Sequence, residues 1–291
     1  MNPTTERRND KVANLVDQLH RGIADLVTGD DWQHMMAVAA RFHRYSSWNT
    51  IAIFVQRPEA TVVGGYRTWQ QLGRHVRRGE RGIAILAPCT YRTNSAGNDN
   101  AEPPDEPGRT VLRGFKVVHV FDVDQTEGEP LTQIAPALLQ GDAPASLLDS
   151  LVASISAAGF TFERGPMPAP YTQANGITAH DTRRVVVRHD LAPAQAAKTT
   201  AHELAHVLLH GPDRPAQTRD RAEVEAESVA YVVCAACGVD TDTYTFPYVS
   251  RWAKGDLDLV RTTAERVMTC ARRILDDLPV PSDIDSAEAT A

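Results

Sequence analysis

The sequence predicts an α+β protein with two domains, and three observations lead to this expectation. The chain has 291 residues, which exceeds one domain of typical size and suits two. The first half mixes helical apolar spacing with β-branched runs, whereas long helical patterns dominate the second. Basic side chains outnumber acidic ones by 13 to 8 in residues 1–92, but acidic ones outnumber basic ones by 29 to 17 in residues 93–291.

Composition narrows the class of protein. Hydrophobic residues make up 42% of the chain and charged residues 23%, as in globular proteins, and no apolar run is long enough to cross a bilayer. The first residues, MNPTTERRNDKVANLV, lack the apolar region of a secretory signal, so we expect a cytoplasmic protein. The four cysteines are too few and too scattered for a disulfide framework.

The elements of the first domain follow from periodicity and from helix-ending residues. Apolar spacing predicts helices over 6–27 and 32–44, a third over 46–56 capped by Ser46 or Ser47, and a short helix over 66–72. The runs 81–92 and 112–123 predict two strands of one hairpin. The acidic, Pro/Gly-rich stretch 94–108 between them predicts an excursion within the domain.

Domain boundaries are predicted from composition. The first domain is expected to span residues 1–128, a linker rich in proline and glycine 129–144, and the second domain 145–278. Residues 279–291 have almost nothing apolar to bury, which predicts a disordered tail.

A basic stretch in the first domain admits two interpretations. Five arginines, at positions 67, 74, 77, 78 and 81, are interleaved with Tyr66, Trp69 and His75. Guanidinium groups can hold phosphates while aromatic faces stack on unpaired bases, which is how single-stranded nucleic acid is bound. The alternative is a solvated basic turn with Trp69 in the core, and residue types alone favour it.

The second domain carries a sharper motif, TTAHELAHVLLH at 199–210. It lies on a predicted helix that follows Pro193, so His202 and His206 lie one turn apart on one face. This spacing allows two imidazoles to bind one Zn²⁺, with Glu203 placed to act as a general base. The alternative is a pair of histidines on a helix surface; HExxH on a helix favours the metal site.

A catalytic metal site needs a third protein ligand, and the next predicted helix offers Glu223, Glu225 and Glu227. An α-helix turns by about 100° per residue, and relative to the apolar stripe of this helix Glu225 lies closest to the buried side. Glu225 is therefore the predicted third ligand, and Glu223 and Glu227 are interpreted as solvated. His210, one turn beyond His206, allows a fourth ligand, but a histidine that supports a ligand or packs in the core is favoured.

Several separated motifs together resemble known families. SSWNTIAIFVQ, GYRTWQQLGRHVRRGERGIAILAP and VFDVDQTEGEPL resemble the N-terminal domain of ArdC-type antirestriction proteins. TAHELAHVLLH followed by EVEAESVAYVV resembles the ImmA/IrrE-like metallopeptidase domain that accompanies it. The resemblance implies a first domain that binds single-stranded DNA and a second, mainly helical domain with a small sheet and a gluzincin-like zinc site. It also implies protection of incoming, transiently single-stranded DNA of mobile elements from restriction.

With this resemblance the basic stretch is interpreted as DNA-binding. The predicted DNA-binding residues are Trp48, Asn49, Tyr66, Arg67, Trp69, Arg74, Arg77, Arg78 and Arg81. The expected cofactor is Zn²⁺, with Mn²⁺ or another divalent metal as alternatives, because histidine and carboxylate ligands accept several metals.

Three functions stay open at this point. The first is a single-strand DNA-binding antirestriction-type protein, the second a DNA-localised zinc endopeptidase that cleaves a repressor or restriction-system protein, and the third a protein-binding module with a vestigial metal site. The fold by itself does not choose among them.

Overall fold

The first half of the chain forms helices followed by small antiparallel sheets. The structure, a computed structural model, describes residues 3–26, 28–92, 110–130, 145–212, 218–239, 241, 246 and 252–278. The elements of this half are α1 (Pro3–Ala24), α2 (Gly29–Arg41), α3 (Ser47–Gln56), β1 (Val63–Gly65), α4 (Tyr66–Gln71), β2 (Arg74–Val76), β3 (Ile83–Arg92), β4 (Thr110–Asp122) and β5 (Thr126–Gly128).

Local sequence accounts for where these helices begin. Thr28 and Asp31 form a capping box at the start of α2, and the Ser46 side chain accepts a hydrogen bond from the backbone N–H of Asn49 at the start of α3. The predicted cap at Ser46 and the short helix after Gly65 are thus present. These caps satisfy backbone donors that the first helical turn leaves without partners.

Strands β3 and β4 form the predicted hairpin and belong to a three-stranded antiparallel sheet in the order β1-β4-β3. Strand β4 is central, because Val120 pairs with Gly65 on one side and with Ile83 on the other. Strands β2 and β5 form a separate two-stranded sheet next to α4. The excursion 94–108, the tail 279–291 and most of the predicted linker lie outside the described residues.

The second half is mainly helical with one small sheet, as expected. Its elements are α5 (Ala145–Ala157), β6 (Thr161–Gly165), β7 (Gly176–Ala179), β8 (Arg184–Arg188), α6 (Pro193–Leu209), α7 (Arg219–Ala236) and α8 (Leu257–Asp276). The sheet has the order β6-β8-β7, with β6 parallel and β7 antiparallel to β8. Helix α6 packs against β7 and β8 and against α5 and α7.

The buried apolar residues of the two halves form one continuous core among the described residues. Helix α2 packs against α7, and the buried indole N–H of Trp32 donates a hydrogen bond of 2.8 Å to Ser228 Oγ. Trp32 also meets Trp252 edge to face, at 5.1 Å between ring centroids. None of the described helices is long and apolar enough to cross a membrane. The α+β class is confirmed.

Candidate functional site

Helix α6 holds the two histidines of the HExxH motif between the small sheet and α7. Pro193 occupies its first turn, and the helix runs without interruption to Leu209. His202 and His206 therefore lie one turn apart, and their Nε2 atoms are 3.1 Å apart. This is close to the separation of about 3.3 Å expected for two tetrahedral zinc ligands with bonds of about 2.0–2.1 Å.

A carboxylate from α7 completes this cluster. Glu223 Oε2 lies 3.5 Å from His202 Nε2 and 3.9 Å from His206 Nε2. Among the described residues, these three side chains form a group whose ligand atoms all lie within 4.8 Å of one another. Two imidazoles and a carboxylate with these spacings fit a divalent metal with at least one further position open for a water molecule.

The structure corrects the predicted third ligand, because Glu225 does not join this group. Its carboxylate is fully buried, receives hydrogen bonds from Arg221 Nε at 2.9 Å and Arg266 at 3.1 Å, and lies 3.0 Å from His210 Nε2. The helical-phase argument located the most buried glutamate correctly. It failed because two arginines and a histidine, and not the HExxH pair, occupy the space that this glutamate faces.

Glu227, interpreted as solvated, also has a role at the site. Its Oε2 lies 3.1 Å from His202 Nδ1, and its Oε1 forms a 2.8 Å ion pair with Lys198. A carboxylate on the second nitrogen of a ligand histidine orients the ring and makes it more basic. Glu223 and Glu227 are one turn apart, so both reach His202 from the same side of α7.

The two histidines differ in proton affinity. Burial opposes a charge on His202, but the hydrogen bonds that it donates to Glu223 and Glu227 outweigh this effect and raise the pKa of this residue to about 9. Burial and the neighbouring His202 and His210 lower the pKa of His206 to about 3. Near neutral pH the proton on His202 Nε2 can therefore be donated to His206 Nε2, at the position where a metal ion would replace it.

Glu203 is held beside the pair by the edge strand of the small sheet. It is 5% exposed, and Thr178 Oγ1 on β7 donates a 2.7 Å hydrogen bond to its Oε2. Burial raises the pKa of this carboxyl group, which suits a group that takes up and returns a proton near neutral pH. Gly176 on the same strand comes so close that a Cβ there would lie 2.6 Å from Glu203 Oε1.

Two of the predicted DNA-binding residues are structural. Trp69 is 1% exposed, and its indole N–H donates a 2.9 Å hydrogen bond to the carbonyl of Phe121. Asn49 is 8% exposed and exchanges two hydrogen bonds with the backbone of Leu86, at 2.8 and 2.9 Å. Gln56 does the same at Ala84, so the two amides occupy the outer edge of β3 as a neighbouring strand would. Neither Trp69 nor Asn49 can meet a base.

Three more predicted contacts are engaged within the protein. The Trp48 ring is half-buried and lies under the guanidinium of Arg261, 5.7 Å from the ring centroid. Arg74 donates to Thr126 and to carbonyls of the β5 region, and Arg77 pairs with Glu80 at 2.8 Å and donates to the carbonyl of Asp124. The contacts of the two arginines fix β2 and the turn that follows it, and all three side chains are poorly placed for a ligand.

The remaining predicted residues are exposed together at one part of the first domain. Tyr66 is 50% exposed, Arg67 projects from α4, and Arg78 and Arg81 project from the turn before β3. Among the described residues no carboxylate pairs with the three arginines. His119 on the central strand β4 is also exposed and lies beside Gly82, which extends this basic surface.

The sequence offered partial signals for the residues that it missed. The sequence offered Glu223 and Glu227 as candidates, but which glutamate reaches the histidine pair depends on the rotation of α7 relative to α6. Thr178 carries no motif at all, because it reaches Glu203 across 25 positions of sequence through the fold of β7 on α6.

Comparison with known families confirms the resemblance given by the motifs. Residues 7–121 match the family described as the N-terminal domain of anti-restriction factor ArdC. Residues 156–237 match the IrrE N-terminal-like domain, a peptidase family. An uncharacterised protein of Bacillus anthracis is 22% identical over 292 residues, which cover 88% of this chain. The chain spans about half the length of that relative, 49%.

One solved structure shares the fold. The metal-free crystal structure of the antirestriction protein ArdC from the R388 plasmid aligns with a TM-score of 0.51 and 19% identity, over 80% of this chain and 85% of that one. The Mn(II)-bound structure of the same protein aligns with a TM-score of 0.49 and 17% identity, over 83% and 86% of the two chains.

Proposed function

The chain combines an ArdC-type antirestriction domain with an IrrE-like metallopeptidase domain, and from this composition we propose that it binds single-stranded DNA and protects it from restriction. The observation that carries the proposal is the exposed basic surface formed by Tyr66, Arg67, Arg78 and Arg81. A divalent metal site in the second domain accompanies this activity. The protein acts in the cytoplasm.

The sheet explains how the two parts of this surface come together. Tyr66 follows Gly65 and Arg81 precedes Ile83, and both Gly65 and Ile83 flank Val120 of the central strand. Two strand spacings of about 4.8 Å each therefore put the start of α4 and the turn before β3 roughly 10 Å apart. Arginines at this separation can neutralise neighbouring phosphates while Tyr66 stacks on a base, without reading sequence.

The first experiment measures fluorescence anisotropy of a labelled single strand against salt concentration, with duplex DNA as competitor. The Arg78→Ala/Arg81→Ala variant is compared with Arg272→Ala/Arg273→Ala, which removes the same charge from exposed positions on α8. Losing two phosphate contacts lowers the slope of log affinity against log salt by about 1.4, at about 0.7 per contact on a single strand. Equal slopes in the two variants would refute this interface.

For the metal centre we propose His202, His206 and Glu223 as ligands, in place of the set that included Glu225. The support is the 3.1, 3.5 and 3.9 Å separation of their ligand atoms and the charge of the carboxylate. Zn²⁺ suits these ligands, and Mn²⁺ and other divalent ions are alternatives. Glu223→Gln is expected to weaken metal binding strongly, while Glu265→Gln on α8 leaves it unchanged, as measured by competition with a chromophoric chelator.

A second candidate function is a DNA-localised endopeptidase that cleaves a repressor or restriction-system protein, and the placement of Glu203 favours it. A divalent ion bound here would act as a Lewis acid toward a water molecule and a peptide carbonyl. Thr178 holds the Glu203 carboxylate beside the histidine pair, so this group is positioned to accept the water proton and return it to the leaving amine. The raised pKa of Glu203 suits both steps.

Two assays separate the candidates. Incubation of the zinc-loaded protein with a random-sequence peptide library, followed by mass spectrometry, tests for cleavage that Glu203→Gln abolishes. Transfer of unmodified plasmid DNA into a restricting host tests for protection. Protection that survives Glu203→Gln but not Arg78→Ala/Arg81→Ala supports DNA binding as the function, whereas the reverse supports proteolysis. If protection is lost in neither variant, only the protein-binding module with a vestigial metal site is left.

A further inference from the structure

A line of hydrogen-bonded side chains extends from the back of His206 into the core. His206 Nδ1 lies 2.8 Å from His210 Nδ1, and His210 Nε2 lies 3.0 Å from Glu225 Oε2. The Glu225 carboxylate is fully buried and ends the line between Arg221 on its own helix and Arg266 on α8. Three helices thus contribute to the surroundings of one histidine.

The chemistry of the groups allows one arrangement of protons along this line. A neutral imidazole has one donor nitrogen and one acceptor nitrogen. If His206 Nε2 binds a metal ion, its proton must be on Nδ1 and is donated to His210 Nδ1. His210 then carries its own proton on Nε2 and donates it to Glu225. Glu225 is a carboxylate that two arginines hold ionised, so it accepts only, and the opposite order would leave it facing a second acceptor.

The two ligand histidines are supported in different ways. Glu227 contacts His202 Nδ1 directly at 3.1 Å, whereas His206 reaches its carboxylate only through a second imidazole. Arg266 additionally donates a 3.2 Å hydrogen bond to the carbonyl of Leu209, next to His210. The end of α6 and the Glu225 carboxylate are therefore held by the same guanidinium.

We propose that Glu225, acting through His210, is the positioning residue for His206: it fixes the Nδ1–H tautomer and the ring orientation that present Nε2 to the metal. This inference rests on the proposed metal site. It gives Glu225 a role that does not require it to touch the metal, and it explains why a carboxylate is buried here with two arginines. Partners of this kind contribute about 10- to 100-fold to metal affinity.

The test compares variants of the full-length protein that cut the line at different points. His210→Leu removes both hydrogen bonds, whereas His210→Asn places an acceptor Oδ1 near the position of Nδ1 and so retains the bond from His206. Glu225→Gln keeps the size and an acceptor oxygen but removes the charge. His43→Leu is the matched control, since His43 is a half-buried histidine just after the end of α2 whose hydrogen bond, among the described residues, is to the Ala40 carbonyl.

Zn²⁺ affinity is measured by competition with a chromophoric chelator, and the ligand geometry by the visible spectrum of the Co²⁺-loaded protein. We expect His210→Leu to lower affinity by about 10- to 100-fold and to alter the Co²⁺ spectrum, in line with other supporting partners. His210→Asn keeps an acceptor for His206 Nδ1 but loses the bond to Glu225, and Glu225→Gln keeps His210 but loses the charge, so each is expected to recover only part of the affinity. His43→Leu is expected to match the wild type.

Each outcome decides the question. Variants that bind Zn²⁺ as tightly as the wild type would overturn the positioning role while leaving the metal site intact. An Asn variant that is no better than the Leu variant would show that packing, and not the hydrogen bond, matters at His210. A wild-type protein that binds neither Zn²⁺ nor Co²⁺ would overturn the metal site itself, and the inference with it. If His210→Leu does not fold by circular dichroism, the Asn and Gln variants still decide.

Discussion

Gly176 gives the most direct test of how the edge strand approaches the HExxH helix. In Gly176→Ala the added methyl group would lie 2.6 Å from Glu203 Oε1, 2.7 Å from Thr199 Cγ2 and 2.9 Å from Glu203 Cγ. Ordinary contact begins near 3.4 Å, so either β7 or the Glu203 side chain must shift by about 0.8 Å at the closest point. Overpacking of this size costs about 1–3 kcal/mol.

The free energy of unfolding by urea measures this cost. Gly211→Ala is the control, because nothing lies within 4 Å of a Cβ at that position. The same substitution at Gly176 is then made in a Glu203→Ala/Thr199→Ser background, which removes all three contacting atoms. We expect the destabilisation to fall there to within about 0.5 kcal/mol of zero, the range of substitutions that touch nothing. An equal cost in both backgrounds would refute the proposed contact between β7 and Glu203.

Three further predictions follow from the same structure. Zn²⁺ affinity should rise about tenfold per pH unit up to a pH of about 9, because metal binding displaces the proton that the raised pKa keeps on His202; chelator competition at several pH values checks this, and a flat profile would contradict it. Asn49→Ala should reduce the free energy of unfolding by about 1–3 kcal/mol, since it leaves the backbone groups of Leu86 on the β3 edge without the amide partner. Urea denaturation measures this free energy, and an unchanged value would contradict the prediction. Trp69→Ala should destabilise the fold by about 3–5 kcal/mol, whereas Tyr66→Ala should leave stability within about 0.5 kcal/mol and weaken single-strand binding by about 1–3 kcal/mol; melting curves and anisotropy together separate the two roles.

Much of the fold was predictable because it depends on nearby residues. The cap at Ser46, the helix from Pro193 and the β3–β4 hairpin follow from spacings of a few residues or from a pattern within one element. The basic stretch was also recognisable, but only its exposed members, such as Tyr66 and Arg78, are available to a ligand. The sequence could not distinguish these from Trp69 and Arg74, because burial and hydrogen bonding to β4 and β5 decide it.

The choice among the three glutamates of α7 shows the same limit. A single apolar stripe was assumed for this helix, but residues from Val224 to Cys234 are buried on nearly every side, since α2, α6 and α8 all pack against it. The phase argument correctly separated Glu225 from Glu223 and Glu227. It could not say which side of α7 faces α6, because the rotation of α7 is set by contacts with other elements, such as the hydrogen bond from Trp32 to Ser228.

By itself the sequence determined that two histidines and a glutamate share one turn of a helix, since the α-helical period places positions four apart on one face. It also determined that a basic, aromatic stretch precedes a strand. Only the tertiary structure decided which carboxylate meets the histidine pair, which carboxylate supports it from behind, and which arginines face solvent. These outcomes depend on distances between elements far apart in the chain, and no local pattern encodes the rotation and depth at which such elements pack.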